Sequence, residues 1–179
     1  MHVISHHEMS GYLKSKMGIK LMHKDFRELT TVERQLIEDE HAHLERFLRD
    51  LRDTCCEFYS LKGCQGCGRE KIASCQGRLI SFEHVFLDFV IEHFGNEEKI
   101  MSEISRPQDT NEYFRLHQQE HDRLLQEMES LMHKLSTKSK QGHTAVAIRE
   151  FHYRVAELFG KHAHTFDDFF LHQPKSGKE

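Results

Sequence analysis

The chain has no tryptophan and only two prolines in 179 residues, so few positions break a helix and the composition leans helical. Its apolar runs are only a few residues long, far below the roughly 20 needed to cross a bilayer, which excludes a membrane-inserted helix. Met1–Ser10 lacks a positively charged start leading into an apolar segment, so no export signal is read there and a cytoplasmic location is expected. Neither a basic tract nor an acidic tail is present, and the net charge of −4 argues against a nucleic-acid partner, which usually meets a basic stripe. Cysteine is missing from most of the chain, all five lying between Cys55 and Cys75. An odd, clustered set is not the framework of a disulfide-stapled secreted protein and fits a reducing compartment.

Histidine is in excess, with sixteen residues. It titrates near neutrality and is the commonest metal ligand. With 37% hydrophobic and 30% charged residues, the rest of the composition is that of one globular domain. Residues 1–29 have weak periodicity and read as an N-terminal arm. Thr30-Thr31-Val32-Glu33 fits a capping box and opens a helix that carries Ile37, Leu44, Leu48 and Leu51 at helical spacing to about Tyr59. Gly63, Gly66 and Gly68 break the pattern, and a second helix runs from about Glu70 to Ile104, ahead of Arg106-Pro107. Asp109-Thr110-Asn111-Glu112 opens a third helix through Leu135, Ser136–His143 reads as a polar linker, and Thr144 reads as the cap of a fourth helix that ends before Pro174. Four such helices, each with one apolar stripe, most economically form an all-α up-down-up-down antiparallel four-helix bundle. The bundle is expected over 30–172, with a Cys-rich insertion at 55–75 and a tail at 173–179.

The functional signal centres on Phe89–Met101, read as FVIEHFGNEEKIM, where His93 and Glu97 lie four residues apart within an apolar helical pattern. Residues at that spacing project from one helix face, which is metal-ligand geometry. Each other helix supplies matching donors. His41 shares a face with Leu44 and Leu48, whereas His43 is turned about 200° away, so His41 is read as inward and His43 as outward. His117 and His121 are four apart, a spacing that chelates one metal ion, and no zinc-protease glutamate accompanies them. The last helix carries His162, His164, Asp167 and Asp168. Coincidental surface histidines would have to reproduce such spacings on all four helices. His84, His133, His143, His152 and His172 have no partner at ligand spacing and read as surface residues, while Leu44, Phe89, Met101 and Leu125 read as core.

Taken together, HFGNEE around His93, the His117/His121 pair, His41 ahead of an apolar helical stretch, and His162 five residues before Asp167 resemble the ligand pattern of the hemerythrins, bacterial hemerythrins in particular, over roughly residues 30–172. The resemblance implies a four-helix bundle holding two oxo- or hydroxo-bridged non-haem irons that bind dioxygen reversibly. It implies His117, His121 and His162 on one iron, His41 and His93 on the other, Glu97 and Asp167 bridging them, and an open position at the second iron. The chain departs from the pattern in three places. Tryptophans that family members often carry are absent, Cys55–Cys75 is additional, and His164/Asp168 at a spacing of four competes with His162/Asp167 at five. His162 with Asp167 is preferred because the other motifs follow the bacterial form.

Ligand chemistry adds to this reading. Carboxylate-rich di-iron sites use Glu-x-x-His on two helices, and here that motif occurs only on the first, as Glu38/His41 and Glu40/His43. Five imidazoles and two carboxylates form a site of low anionic charge, expected to bind dioxygen rather than to cleave it. Iron suits such nitrogens, which zinc or copper could also use. The expected function is oxygen storage, delivery or sensing. The alternatives are an enzyme on the same bundle, either a di-iron oxidase or a peroxide- or nitric-oxide-reducing protein, and a redox- or oxygen-responsive regulatory module with a protein partner or a second copy of the chain. Separately, Gly63-Cys64-Gln65-Gly66-Cys67-Gly68 resembles half of a thiolate knuckle that Cys75 with Cys55 or Cys56 would complete. A structural zinc, a reversible disulfide and plain reduced thiols all remain open there.

Overall fold

The computed structural model describes residues 27–55, 58–59, 63–104 and 112–171. Most of the expected arm, Cys56, the turn around Pro107, the capping signature at 109–111, His172 and the tail lie outside them. The described residues form α1 (Thr31–Thr54), a 3-10 turn (Gly63–Gly66), α2 (Arg69–Ile104), α3 (Glu112–Lys140), α4 (Thr144–His162), a π-helical turn (Ala163–Asp167) and a last helical turn, α5 (Asp168–Leu171).

Helix α1 starts at the capping box read from the sequence. The Glu33 amide donates to Thr30 Oγ1 at 3.2 Å, and the Thr30 amide donates to Glu33 Oε2 at 2.7 Å. Arg27 grips the same carboxylate with both Nη atoms, at 2.8 and 2.6 Å. The helix ends at Thr54, five residues before the expected end near Tyr59, and the backbone turns extended at Cys55. Helix α2 is 36 residues long, about 54 Å at the standard rise.

Two expectations fail at the junction of α3 and α4. Ser136–Lys140, the first part of the stretch read as linker from its polarity, is helical because tertiary contacts hold it. The Ser139 carbonyl accepts from Gln76 on α2 at 2.9 Å, and buried Ser139 Oγ meets Thr144 Oγ1 at 3.1 Å. The helix then ends in a Schellman motif, with the His143 amide donating to the Lys138 carbonyl and the Gly142 amide to that of Ser139. Gly142 has φ of +85°, a conformation that favours glycine. Thr144 is not the cap of α4. It is the first helical residue, His143 occupies the cap position without a side-chain bond, and the Ala145 amide donates to Cys64 Sγ at 3.3 Å.

Cross-links between helix ends show the antiparallel order. The Arg27 amide donates to the Ile104 carbonyl, Cys75 near the start of α2 donates to the Thr54 carbonyl ending α1, and Tyr113 at the start of α3 donates to the Phe166 carbonyl after α4. The result is the expected bundle, with α1, α2, α3 and α4 each packed on its sequence neighbour and α4 closing on α1. Its interior is not continuous. One large apolar cluster contains Leu44, Phe86, Val90, Phe94, Leu124, Met128, Phe151 and Phe159, and a smaller one contains Ile37, Ile100, Met101, Ile104, Tyr113 and Phe166. On every helix the candidate ligands fall between residues of the two clusters.

The start of α1 is testable. Thr30→Ala should cost about 1 kcal/mol in urea unfolding, the usual worth of an N-cap hydroxyl. Chiefly through Arg27, against partial burial and with help from Thr30, the Glu33 carboxyl sits at about 2 rather than 4.5. A lowered carboxyl stabilises fully above pH 4.5 and loses its contribution as pH falls toward 2, so the stability gap between the native chain and Glu33→Gln should close over that window.

Candidate metal centre

Seven side chains from all four helices converge between the apolar clusters. His93 and Glu97 come from consecutive turns of one face of α2, His117 and His121 from one face of α3, and His41 from α1. His162 ends α4. Asp167 lies five residues on, about 140° away if the helix were regular. The π-helical turn over Ala163–Asp167 takes up the extra residue and returns Asp167 to the face of His162. The Tyr113 hydroxyl, donating to the Phe166 carbonyl at 2.6 Å within that turn, holds it in place.

The donor atoms divide into two sets. Nε2 of His162 lies 3.1 Å from Nε2 of His117 and 3.2 Å from that of His121, close to the ~3 Å between adjacent donors on one octahedral metal ion at ordinary metal–nitrogen distances. Glu97 directs Oε2 to this set, 3.2 Å from His121 Nε2, and directs Oε1 to His41 and His93, 3.7 Å from each Nε2. Asp167 repeats the division, with Oδ1 3.3 Å from His117 and 3.2 Å from His162, and Oδ2 3.2 Å from His41. Glu97, His117, His121 and His162 therefore form one group that could hold a metal ion, and His41, His93 and Glu97 form a second. Both carboxylates face both groups.

Outer side chains orient the imidazoles. His93 Nδ1 lies 3.0 Å from Glu40 Oε2, and Asn96 donates to the other oxygen of Glu40 at 2.6 Å. His121 Nδ1 lies 2.9 Å from Glu98 Oε1, and Gln118 donates to Glu98 at 3.0 Å. His117 Nδ1 lies 3.1 Å from Met101 Sδ. A carboxylate or thioether only accepts, so each Nδ1 donates outward and each ring turns its Nε2 toward the centre. Glu40, Asn96, Glu98 and Gln118 are not identified in the sequence reading. Their one signal there is that Glu40 precedes His41 and Glu98 follows Glu97. Neither Glu-x-x-His motif of α1 supplies a carboxylate to the centre, since Glu38 is exposed and Glu40 braces His93 from outside.

A cation suits what these residues leave unpaired. His93 Nε2, both Glu97 oxygens and Asp167 Oδ1 are buried without a hydrogen bond, a costly arrangement for polar atoms unless something positive faces them. Burial opposes charge on Glu97 and Asp167, yet the surrounding histidines outweigh it and hold both carboxyls below the usual range. Burial also opposes charge on His41 and His162, but Asp167 and Glu97 lift them to about 10 and about 9. On His117 burial wins, and its imidazole is pushed down. In the metal-free protein, protons on His41 and His162 would supply the positive charge that a metal ion would otherwise bring.

The competing pair at the chain's end lies elsewhere. His164 Nδ1 is 3.2 Å from Asp168 on the outer surface, and the His164 side chain is 74% exposed. His43 is exposed, stacked on Phe47. His84, His133 and His143 are exposed, but His152 is half-buried against Phe58 rather than a surface residue. The cysteines join no group of three potential ligands among the described residues. Cys75 is buried, with its thiol on the Thr54 carbonyl. No helix is long and apolar enough to cross a membrane among the described residues.

Fold and site together define a four-helix bundle with a buried histidine–carboxylate centre fit for metal. No family model matches the chain, and neither does any curated protein or solved structure. His162→Ala should abolish tight binding of a divalent metal ion in a calorimetric titration, and His164→Ala should leave it unchanged. Glu40→Gln should weaken the affinity by about 10- to 100-fold, as removal of a carboxylate behind a ligating histidine generally does.

Proposed function

We propose that this chain is a hemerythrin-like non-haem di-iron protein that binds dioxygen reversibly, for storage, delivery or sensing. One observation carries the reading: Glu97 and Asp167 each turn one oxygen to a three-imidazole set and the other to a two-imidazole set. In this reading His117, His121 and His162 hold one iron, His41 and His93 hold the other, and the carboxylates span them. Two irons would supply the pair of electrons that dioxygen draws on when it binds. Three imidazoles and two carboxylate oxygens exceed the four donors of a structural zinc, and an imidazole-rich set suits iron. The His41/His93 set has one imidazole fewer, which leaves room for an exogenous ligand.

The chain's own residues favour binding over turnover. His41 is 28% exposed while the other histidines of the centre are almost wholly buried, so a small molecule reaches the centre past α1. Leu44 and Phe94 on one side and Ile37, Ile100 and Met101 on the other keep bulk water and its protons away. The outer carboxylates Glu40 and Glu98 hold the rings in place without adding negative charge to the inner set.

Metal analysis combined with visible spectroscopy tests this. The isolated protein should contain about two irons per chain, falling sharply in Glu97→Ala. Reduced, colourless protein should gain a visible charge-transfer band in air and lose it under vacuum through several cycles. Immediate irreversible oxidation, or turnover of a substrate, would replace the binder with a di-iron enzyme.

A further inference from the structure

We propose that Cys64 and Cys67, in the turn between α1 and α2, are a reversible dithiol–disulfide pair that exchanges with low-molecular-weight disulfides, and that they are not half of a zinc site. Three observations separate this pair from Cys55 and Cys75. First, the 3-10 turn Gly63–Gly66 is closed by the Cys67 amide donating to the Cys64 carbonyl at 3.0 Å. Such a closure keeps the two Cα atoms within about 7 Å, and disulfides span about 4.4–6.8 Å. Second, Cys64 and Cys67 are half-buried within reach of solvent, whereas Cys55 and Cys75 are buried. Third, Cys75, which a zinc knuckle would need, is occupied: its thiol donates to the Thr54 carbonyl at 3.4 Å, and Arg78 approaches the sulfur at 3.9 Å.

The pair has a defined order of reaction. Cys64 Sγ accepts the Ala145 amide at the first turn of α4, where backbone amides present partial positive charge. Cys64, as a thiolate after losing its proton to solvent, attacks one sulfur of glutathione disulfide. The old S–S bond breaks, a glutathione thiolate leaves, and Cys64 carries a mixed disulfide. Cys67, deprotonated in turn, attacks the Cys64 sulfur and expels the second glutathione. Two protein thiols have then lost two electrons and two protons, and one disulfide has become two glutathione thiols. The site lies at the far end of the bundle from the histidines. Cys75 alone is eighteen residues before His93 on α2, about 27 Å away, so the pair works independently of any metal.

Differential alkylation with peptide mass mapping, on full-length protein equilibrated in glutathione redox buffers, tests the proposal without a variant. A Cys64–Cys67 disulfide should form and reverse with the buffer ratio, while Cys55 and Cys75 stay as thiols and metal binding is unchanged. Cys67→Ser should retain glutathione on Cys64, and Cys67→Ala can replace it if the serine variant does not fold. Failure to form the bridge at any ratio, a bridge that includes Cys55, Cys56 or Cys75, or zinc bound tightly enough to protect the cysteines from alkylation would each overturn the proposal.

Discussion

Two carboxylates buried among five imidazoles are the constraint around which this bundle is arranged. A buried carboxylate is tolerated only when positive charge or hydrogen bonds surround it, and Glu97 and Asp167 meet that requirement by facing both histidine sets at once. Removing one of these acids would disturb both sets, whereas an outer histidine such as His164 is isolated from them. The apolar clusters on either side supply the burial that makes each contact strong. They also require every polar atom in the layer between them to be matched.

The sequence makes the periodic features legible and hides those set by tertiary contact. His93/Glu97 and His117/His121 follow from helical spacing alone, and the Thr30/Glu33 box marks the start of α1. The end of α3 is misread because Thr137, Lys138 and Lys140 look like linker. What holds them helical is a glutamine from another helix and a buried Ser139–Thr144 contact, and neither leaves a local pattern. Thr144 is misread for a related reason: its hydroxyl is engaged by buried Ser139 rather than by an amide of its own helix, and a sulfur eighty-one residues away in sequence takes the Ala145 amide at the same helix start. Glu40 and Glu98 are invisible because an acid next to a ligand looks like any surface charge until the helices are packed.

The two ends of the bundle use histidine and cysteine differently. At the histidine end, side chains on long helices aim ring nitrogens inward, and the outer acids Glu40 and Glu98 orient His93 and His121. At the cysteine end, sulfur takes backbone roles, capping α4 through Cys64 and binding the last carbonyl of α1 through Cys75. Placing the softer, more reactive atoms far from the imidazoles keeps thiol chemistry out of the buried centre.

The π-helical turn between His162 and Asp167 has a consequence for how such a centre changes with time. A turn of this kind is a regular helix carrying one additional residue. Loss of a residue such as exposed His164 would let the helix relax to its ordinary pitch, with His162 and the aspartate then four apart and still on one face. Spacings of four and five are therefore neighbouring solutions one residue apart, and either keeps both donors on the same side. What the centre needs is the face of the helix and not the count of residues along it.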